Sequence, residues 1–117
     1  MSLEADGESL MRGPGVGTGK DGPVPPFIFR VRVIGPSMEP ALSNGDVVWA
    51  RRGGVRPGRP VVFEEPGRPG LVVVKRVRER RGSGWWVEGD NSDASRDSRT
   101  YGPIEDSAIW GSLIRRR

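Results

Sequence analysis

The sequence predicts a mainly β fold, one compact antiparallel domain over residues 27–114, on three observations. Short apolar runs of strand length recur through that region, 18 glycines and 11 prolines punctuate the chain, and long apolar runs are few. At 117 residues and 34% hydrophobic content, the length suits a single domain with one modest core.

Residues 1–26 combine Gly, Pro, Asp, Glu and Ser and end in Pro23-Val24-Pro25-Pro26, which reads as a disordered leader without stable contacts. From Phe27 to Val33 the odd positions are apolar, with Arg30 and Arg32 between them, as in a half-buried strand. Gly35-Pro36 stops that strand, and a turn or single helical turn over residues 38–44 leads to a second strand over 46–50. Residues 53–60 are a turn-rich crossover to a third strand, Val61-Val62-Phe63. The β-branched run over 71–77 predicts a strand buried on both faces, and residues 80–84 a hairpin turn that returns the chain into Trp85-Trp86-Val87-Glu88. Trp85 and Trp86 are then on opposite faces. Residues 89–102 are polar and turn-like, and residues 108–114 supply a closing strand with Gly111 as a bulge or bend. Trp49 and Trp110 are expected to be packing residues, and residues 115–117 form a solvated basic tail.

The absence of cysteine and histidine removes disulfides, thiolate chemistry, Cys-based zinc sites and the commonest general base. No metal and no cofactor is expected. The net charge of +4 permits a nucleic-acid partner, yet the aromatics are not spaced as a base-stacking platform, so none is expected. No run approaches the roughly 20 apolar residues that span a bilayer, and no apolar secretory segment opens the chain. A cytoplasmic location without a membrane-spanning segment is expected, peripheral membrane association being left open.

Among 19 basic residues only Lys20 and Lys75 are lysines, and Lys75 sits inside the apolar run. Burial disfavours an ammonium and lowers a lysine pKa, which makes a neutral amine available as a general base; arginine cannot do this. The alternative is a lysine snorkelling from an edge strand. Ser37 lies just past a strand end in Gly35-Pro36-Ser37-Met38-Glu39-Pro40, where a hydroxyl is accessible and backbone N–H groups can face a developing oxyanion. Its alternative is a turn residue or helix N-cap.

Pro36-Ser37-Met38-Glu39-Pro40-Ala41-Leu42 with Gly45-Asp46 resembles the nucleophile segment of type I signal peptidases, S-M-x-P-T-L-x-x-G-D, with Ala41 in place of Thr. Val73-Val74-Lys75-Arg76-Val77 resembles their lysine segment, and residues 89–99 resemble G-D-N-x-x-x-S-x-D-S-R without a gap. The resemblance implies the catalytic core shared by signal peptidases and LexA-type proteins, with Ser37 as nucleophile and Lys75 as general base. It further implies that Ser95 orients the lysine, that the Ser37 backbone N–H contributes to the oxyanion hole, that Asp97 and Arg99 form a supporting ion pair, and that Asp90 and Asn91 shape the turn. Gly35 stands where many members carry a second, hydroxyl donor. Gly58-Arg59-Pro60 replaces the usual Gly-Asp of a further segment, and the stretch between Ser37 and Lys75 is too short for the inserted domain of many bacterial members.

A substrate peptide is expected to add as a strand between Val33-Ile34-Gly35-Pro36 and Val72-Val73-Val74. Gly84-Trp85-Trp86-Val87 ahead of Gly89-Asp90-Asn91 looks like the maturation proteases of nickel-containing superoxide dismutase, which makes a dismutase precursor with an N-terminal leader the expected partner. The rival readings are general signal peptidase-like processing at a membrane, a LexA-type self-cleaving repressor, for which residues 1–26 are too short to supply a helix-turn-helix, and a noncatalytic β-barrel that binds peptide or nucleic acid.

Overall fold

A computed structural model describes residues 2–5 and 27–114. Eight strands, β1 (Ser2–Ala5), β2 (Ile28–Val33), β3 (Val47–Arg51), β4 (Pro60–Glu64), β5 (Val72–Arg81), β6 (Gly84–Glu88), β7 (Ile104–Glu105) and β8 (Ile109–Leu113), form one sheet. Their order is β1-β2-β3-β8-β4-β5-β6-β7, and every pair is antiparallel except β1 with β2. The sheet curls, so that β1 at one end lies against β5.

The alternation read in residues 27–33 is realised: Phe29, Val31 and Val33 are buried, while Ile28, Arg30 and Arg32 face outward. The valine run of β5 is buried on both faces because alternate residues feed two apolar clusters. Val72 and Val74 join Phe29, Val31, Val48 and Val62, whereas Val73 and Val77 join Val61, Phe63, Val87 and Ile104. A strand buried on both faces has no polar positions to alternate with, hence the unbroken β-branched run.

Four expectations need correction. Ser2–Ala5 of the supposed contact-free leader form a strand in parallel register with Arg30–Val33, since the outer edge of β2 offers unpaired main-chain groups. The other leader residues, and the basic tail, lie outside the described residues. Trp49 is 52% exposed, not packed, because Val48 and Ala50 take the inward positions of β3. β5 continues to Arg81, further than the apolar run, since Glu79 to Arg81 pair with β6 on a solvated ribbon. The bulge in β8 falls at Trp110, where Val62 pairs with Gly111 but Phe63 with Ile109; a side chain on Gly111 would collide with the Arg51 carbonyl.

Within the polar stretch after β6, a 3-10 turn (Ser92–Ala94) and a short helix, α1 (Ser98–Tyr101), form, the latter capped by the Asp97 carboxylate accepting from the Arg99 N–H. Trp85 and Trp86 are both half-buried, stacked under Arg80 and Arg81 respectively.

Candidate active site

β2 delivers the chain into the turn that carries Ser37. Three hydrogen bonds fix this turn: Val33 N–H to the Asp46 carbonyl (2.8 Å), Gly45 N–H to the Val33 carbonyl (2.7 Å) and Gly35 N–H to Asn44 Oδ1 (2.8 Å). Gly35 has φ of 90°, a conformation that disfavours any side chain, so the site preference for glycine here is a backbone requirement. Met38 and Leu42 anchor the following helical turn in the core, with the Leu42 N–H bonded to the Met38 carbonyl at 2.9 Å. Ser37 is left 4% exposed beneath the surface.

Lys75 lies on β5 opposite Val61 and is fully buried. Its Nζ donates to Ser95 Oγ at 3.0 Å, and Ser95 Oγ in turn donates to Asp97 Oδ2 at 2.9 Å. The direction of this relay follows from Asp97. Burial pushes that carboxyl up, but the Arg99 guanidinium (2.6 and 2.9 Å), the Gly89 N–H (2.8 Å), the Arg99 N–H and the Ser95 hydroxyl outweigh it and hold the pKa at about 2. An ionised carboxylate is acceptor-only, so the Ser95 proton points to Asp97 and the Ser95 lone pairs face Lys75.

The loop after β6 closes the site. Asp90 receives a two-pronged hydrogen bond from Arg76 (2.8 and 2.7 Å), which raises the guanidinium pKa against the lowering by burial. Arg76 also donates to the Gly58 carbonyl at 2.7 Å, tying the crossover to the same point. Asn91 bridges to the nucleophile turn, its N–H to the Ser37 carbonyl (2.9 Å) and its Nδ2 to the Pro36 carbonyl (3.1 Å). Gly89 is where these contacts meet: a Cβ there would overlap Ser95 Oγ and come within 2.8 Å of the Ser37 carbonyl. The Ser37 main chain, Ser95 and, through Ser95, Lys75 therefore converge on one glycine.

The remaining predicted residues fall as follows. Val33 and Val72 to Val74 have their side chains packed in the core, so a ligand can reach their main chain only, whereas Ile34 and Gly35 are part-exposed and Pro36 is exposed. Among the described residues there is no group of three or more acidic residues placed to hold a metal, and no helix is long and apolar enough to cross a membrane.

Sequence reasoning overlooked three groups. Gly89 and Arg76 lie inside the segments already singled out, yet their spatial roles carry no sequence signal beyond residue type. Glu65, 1% exposed, accepts from Arg96 (3.0 Å) and forms an ion pair with Arg68 (3.1 Å), and so ties the segment holding Ser95 to the end of β4; its Oε1 is buried without a partner among the described residues. Nothing in Glu64-Glu65-Pro66 distinguishes the buried carboxylate from the half-exposed one.

The chain is similar to known proteins over most of its length. The human mitochondrial inner membrane protease subunit 1 is 33% identical over 72% of this chain and 66% of its own length. The Arabidopsis thaliana mitochondrial ATP-independent inner membrane protease subunit 1a is 32% identical over 77% of this chain and 70% of its own. This chain thus spans about two thirds of these relatives, slightly less for the human one. The sequence pattern of Peptidase S24-like proteins matches residues 3–114, from β1 through the nucleophile turn to the end of β8, and on that extent the chain belongs to the Peptidase S24-like family.

Proposed function

We propose that this protein is a serine endopeptidase in which Ser37 is the nucleophile and Lys75 the general base, acting to remove an N-terminal leader from a protein substrate. The observation that carries the reading is the fully buried Lys75 amine, held by the Ser95 hydroxyl at 3.0 Å in a relay that ends on ionised Asp97. Burial favours the neutral amine. The amine donates an N–H to Ser95, and its lone pair takes the Ser37 proton as Oγ attacks the scissile carbonyl. The proton passes from Lys75 to the departing amine as the C–N bond breaks, leaving an acyl-Ser37 ester; Lys75 then deprotonates a water that attacks the ester, and the proton returns to Ser37 Oγ as the acid leaves. Because the Gly35 N–H is bonded to Asn44, the Ser37 N–H is taken as the main-chain donor to the oxyanion.

Lys75→Arg tests the mechanism. Arginine cannot shed its proton, so cleavage is expected to fall by roughly 10²–10⁴-fold in a folded protein, with Ser37→Ala equivalent and the double variant little worse. Wild-type activity should rise with pH as the amine deprotonates. A folded Lys75→Arg variant that cleaves at near the wild-type rate refutes the dyad, as does failure of a serine-directed acylating inhibitor to label the peptide containing Ser37.

The narrower substrate, a nickel superoxide dismutase precursor processed in the cytoplasm, is supported only by the resemblance of residues 84–91; incubation with that precursor and sequencing of the new N-terminus tests it. Action at a membrane has separate support. Ile28, Val47 and Trp49 are about half exposed on the outer face of β2 and β3, with Arg30 beneath the Trp49 ring and Arg32 beside Val47, and the relatives are named as inner membrane proteases. Co-sedimentation with anionic but not neutral vesicles, lost in Trp49→Ser, is the expected result.

A further inference from the structure

We infer that the cavity between the end of β8, the crossover over residues 56–60 and the turn that follows Ser37 is a binding site for a carboxylate carried on a short aliphatic chain. The inference is independent of the peptidase reading, since Ser37, Lys75 and Ser95 are not among the residues that line this cavity.

The cavity has a volume of about 370 Å³, within the range of small-molecule sites. At roughly 30 Å³ per water it has room for about a dozen waters, and so for a ligand of about ten non-hydrogen atoms. Its lining is of two kinds. Leu42 and Leu113 reach it from the hydrophobic core and Pro57 from the crossover, whereas the charged lining is cationic throughout: Arg56, Arg59 and Arg76, with no acidic residue.

The three arginines differ in what they can offer. Arg76 points away from the Lys75 face of β5, its Nε and Nη2 bonded to Asp90 and its Nη1 to the Gly58 carbonyl at 2.7 Å, so it closes the cavity as a neutralised wall. Arg56 is exposed, and its side chain has no partner among the described residues. Arg59 stands where the resembled signal peptidase segment carries aspartate, so the positive charge of this wall is a property of this chain. A guanidinium presents parallel N–H donors that match the two oxygens of a carboxylate, and the apolar lining suits the chain behind it.

The main chain of these walls is fixed without a ligand. The Gly58 N–H bonds the Val77 carbonyl at 2.8 Å and the Val77 N–H bonds the Arg59 carbonyl at 3.0 Å, which pins the crossover to β5. The Leu42 N–H bonds the Met38 carbonyl at 2.9 Å. Little of the binding free energy therefore goes into ordering the site. Ile114 also lines the cavity, and its N–H bonds the carbonyl of Trp49, so the exposed apolar face of β3 is the neighbouring surface from which the site must be distinguished.

The test is a titration of the full isotope-labelled chain with octanoate, followed by amide NMR. Octanoate should shift the amides of residues 56–59 and 113–114 saturably. Octanol, which has the chain without the charge, and acetate, which has the charge without the chain, should each bind weaker by about tenfold or more. Arg56→Glu, at an exposed position without a side-chain partner, should weaken octanoate by about tenfold or more, while Trp49→Ser should leave its affinity within about twofold. N-acetyl-leucine represents the carboxylate at the end of a polypeptide. If it binds more tightly than octanoate the site takes a chain terminus, and if more weakly a free aliphatic acid; either result, with the dependence on Arg56, supports the inference. Octanol binding as tightly as octanoate, an octanoate affinity unchanged in Arg56→Glu, shifts confined to the amides of β2 and β3 around Trp49, or no saturable shift overturns it. None of these outcomes bears on the Ser37 and Lys75 dyad, which Lys75→Arg tests separately.

Discussion

Asp97→Asn probes the relay and its electrostatics at once. In the folded protein Asp97 has its pKa lowered from an ordinary 3.8 to about 2. At roughly 1.4 kcal/mol per unit, the ionised carboxylate contributes about 2 kcal/mol to stability near neutral pH. The sign is that of a depressed carboxylate: the contribution is fully present above the unfolded value near 4 and is lost as pH falls through the folded value near 2. Urea unfolding between pH 2 and 7 should therefore show wild-type stability declining by about 2 kcal/mol more than that of Asp97→Asn over the interval from pH 5 to 2. At pH 7 the variant should be less stable, since the amide offers Arg99 one acceptor where the carboxylate offers two oxygens bonded at 2.6 and 2.9 Å. Cleavage should fall as well, because the amide can turn its NH₂ toward Ser95 and reverse the hydroxyl that receives Lys75. Parallel stability profiles for the two proteins across this pH range would refute the assignment of the depressed pKa and, with it, the direction of the relay.

Gly89→Ala should cost about 1–3 kcal/mol, measured by denaturant melts, because the new methyl meets the Ser37 carbonyl and displaces Ser95; labelling of Ser37 by an acylating inhibitor should slow in step. Glu65→Ala removes the carboxylate that Arg96 and Arg68 share, and a loss of about 1–3 kcal/mol is expected with weaker hydrogen-exchange protection around Ser95. Phe63→Ala, at a fully buried position packed edge-on to Tyr101 at 6.3 Å between centroids, should destabilise by about 3–5 kcal/mol in calorimetry. A loss below 1 kcal/mol there would mean that the cluster of Val61, Val73 and Val87 does not depend on that ring.

The strands were legible wherever one chain segment carries its own reason for being a strand. The alternation of Phe29, Val31 and Val33 with Arg30 and Arg32, the valine run of β5 and the Gly-Pro stop before Ser37 are local patterns, set by a two-residue side-chain period and by burial on one face or two. Residue type also marks Lys75, since an amine in an apolar run needs an explanation that a surface lysine does not. What only the tertiary structure decides depends on which segments meet. The two-residue β7, the four residues of β1 and the helix Ser98–Tyr101 are too short to carry a period of their own and exist through pairing or a cap supplied by neighbours. The fork from Arg76 to Asp90, the burial of Glu65 rather than Glu64, and the convergence of Ser95 and the Ser37 carbonyl on the missing side chain of Gly89 are facts of packing between residues distant in sequence. So too is the seat of Ser2–Ala5 between β2 and β5, because an unpaired sheet edge selects its partner by main-chain hydrogen bonding, to which the side-chain pattern of a polar segment gives no clue.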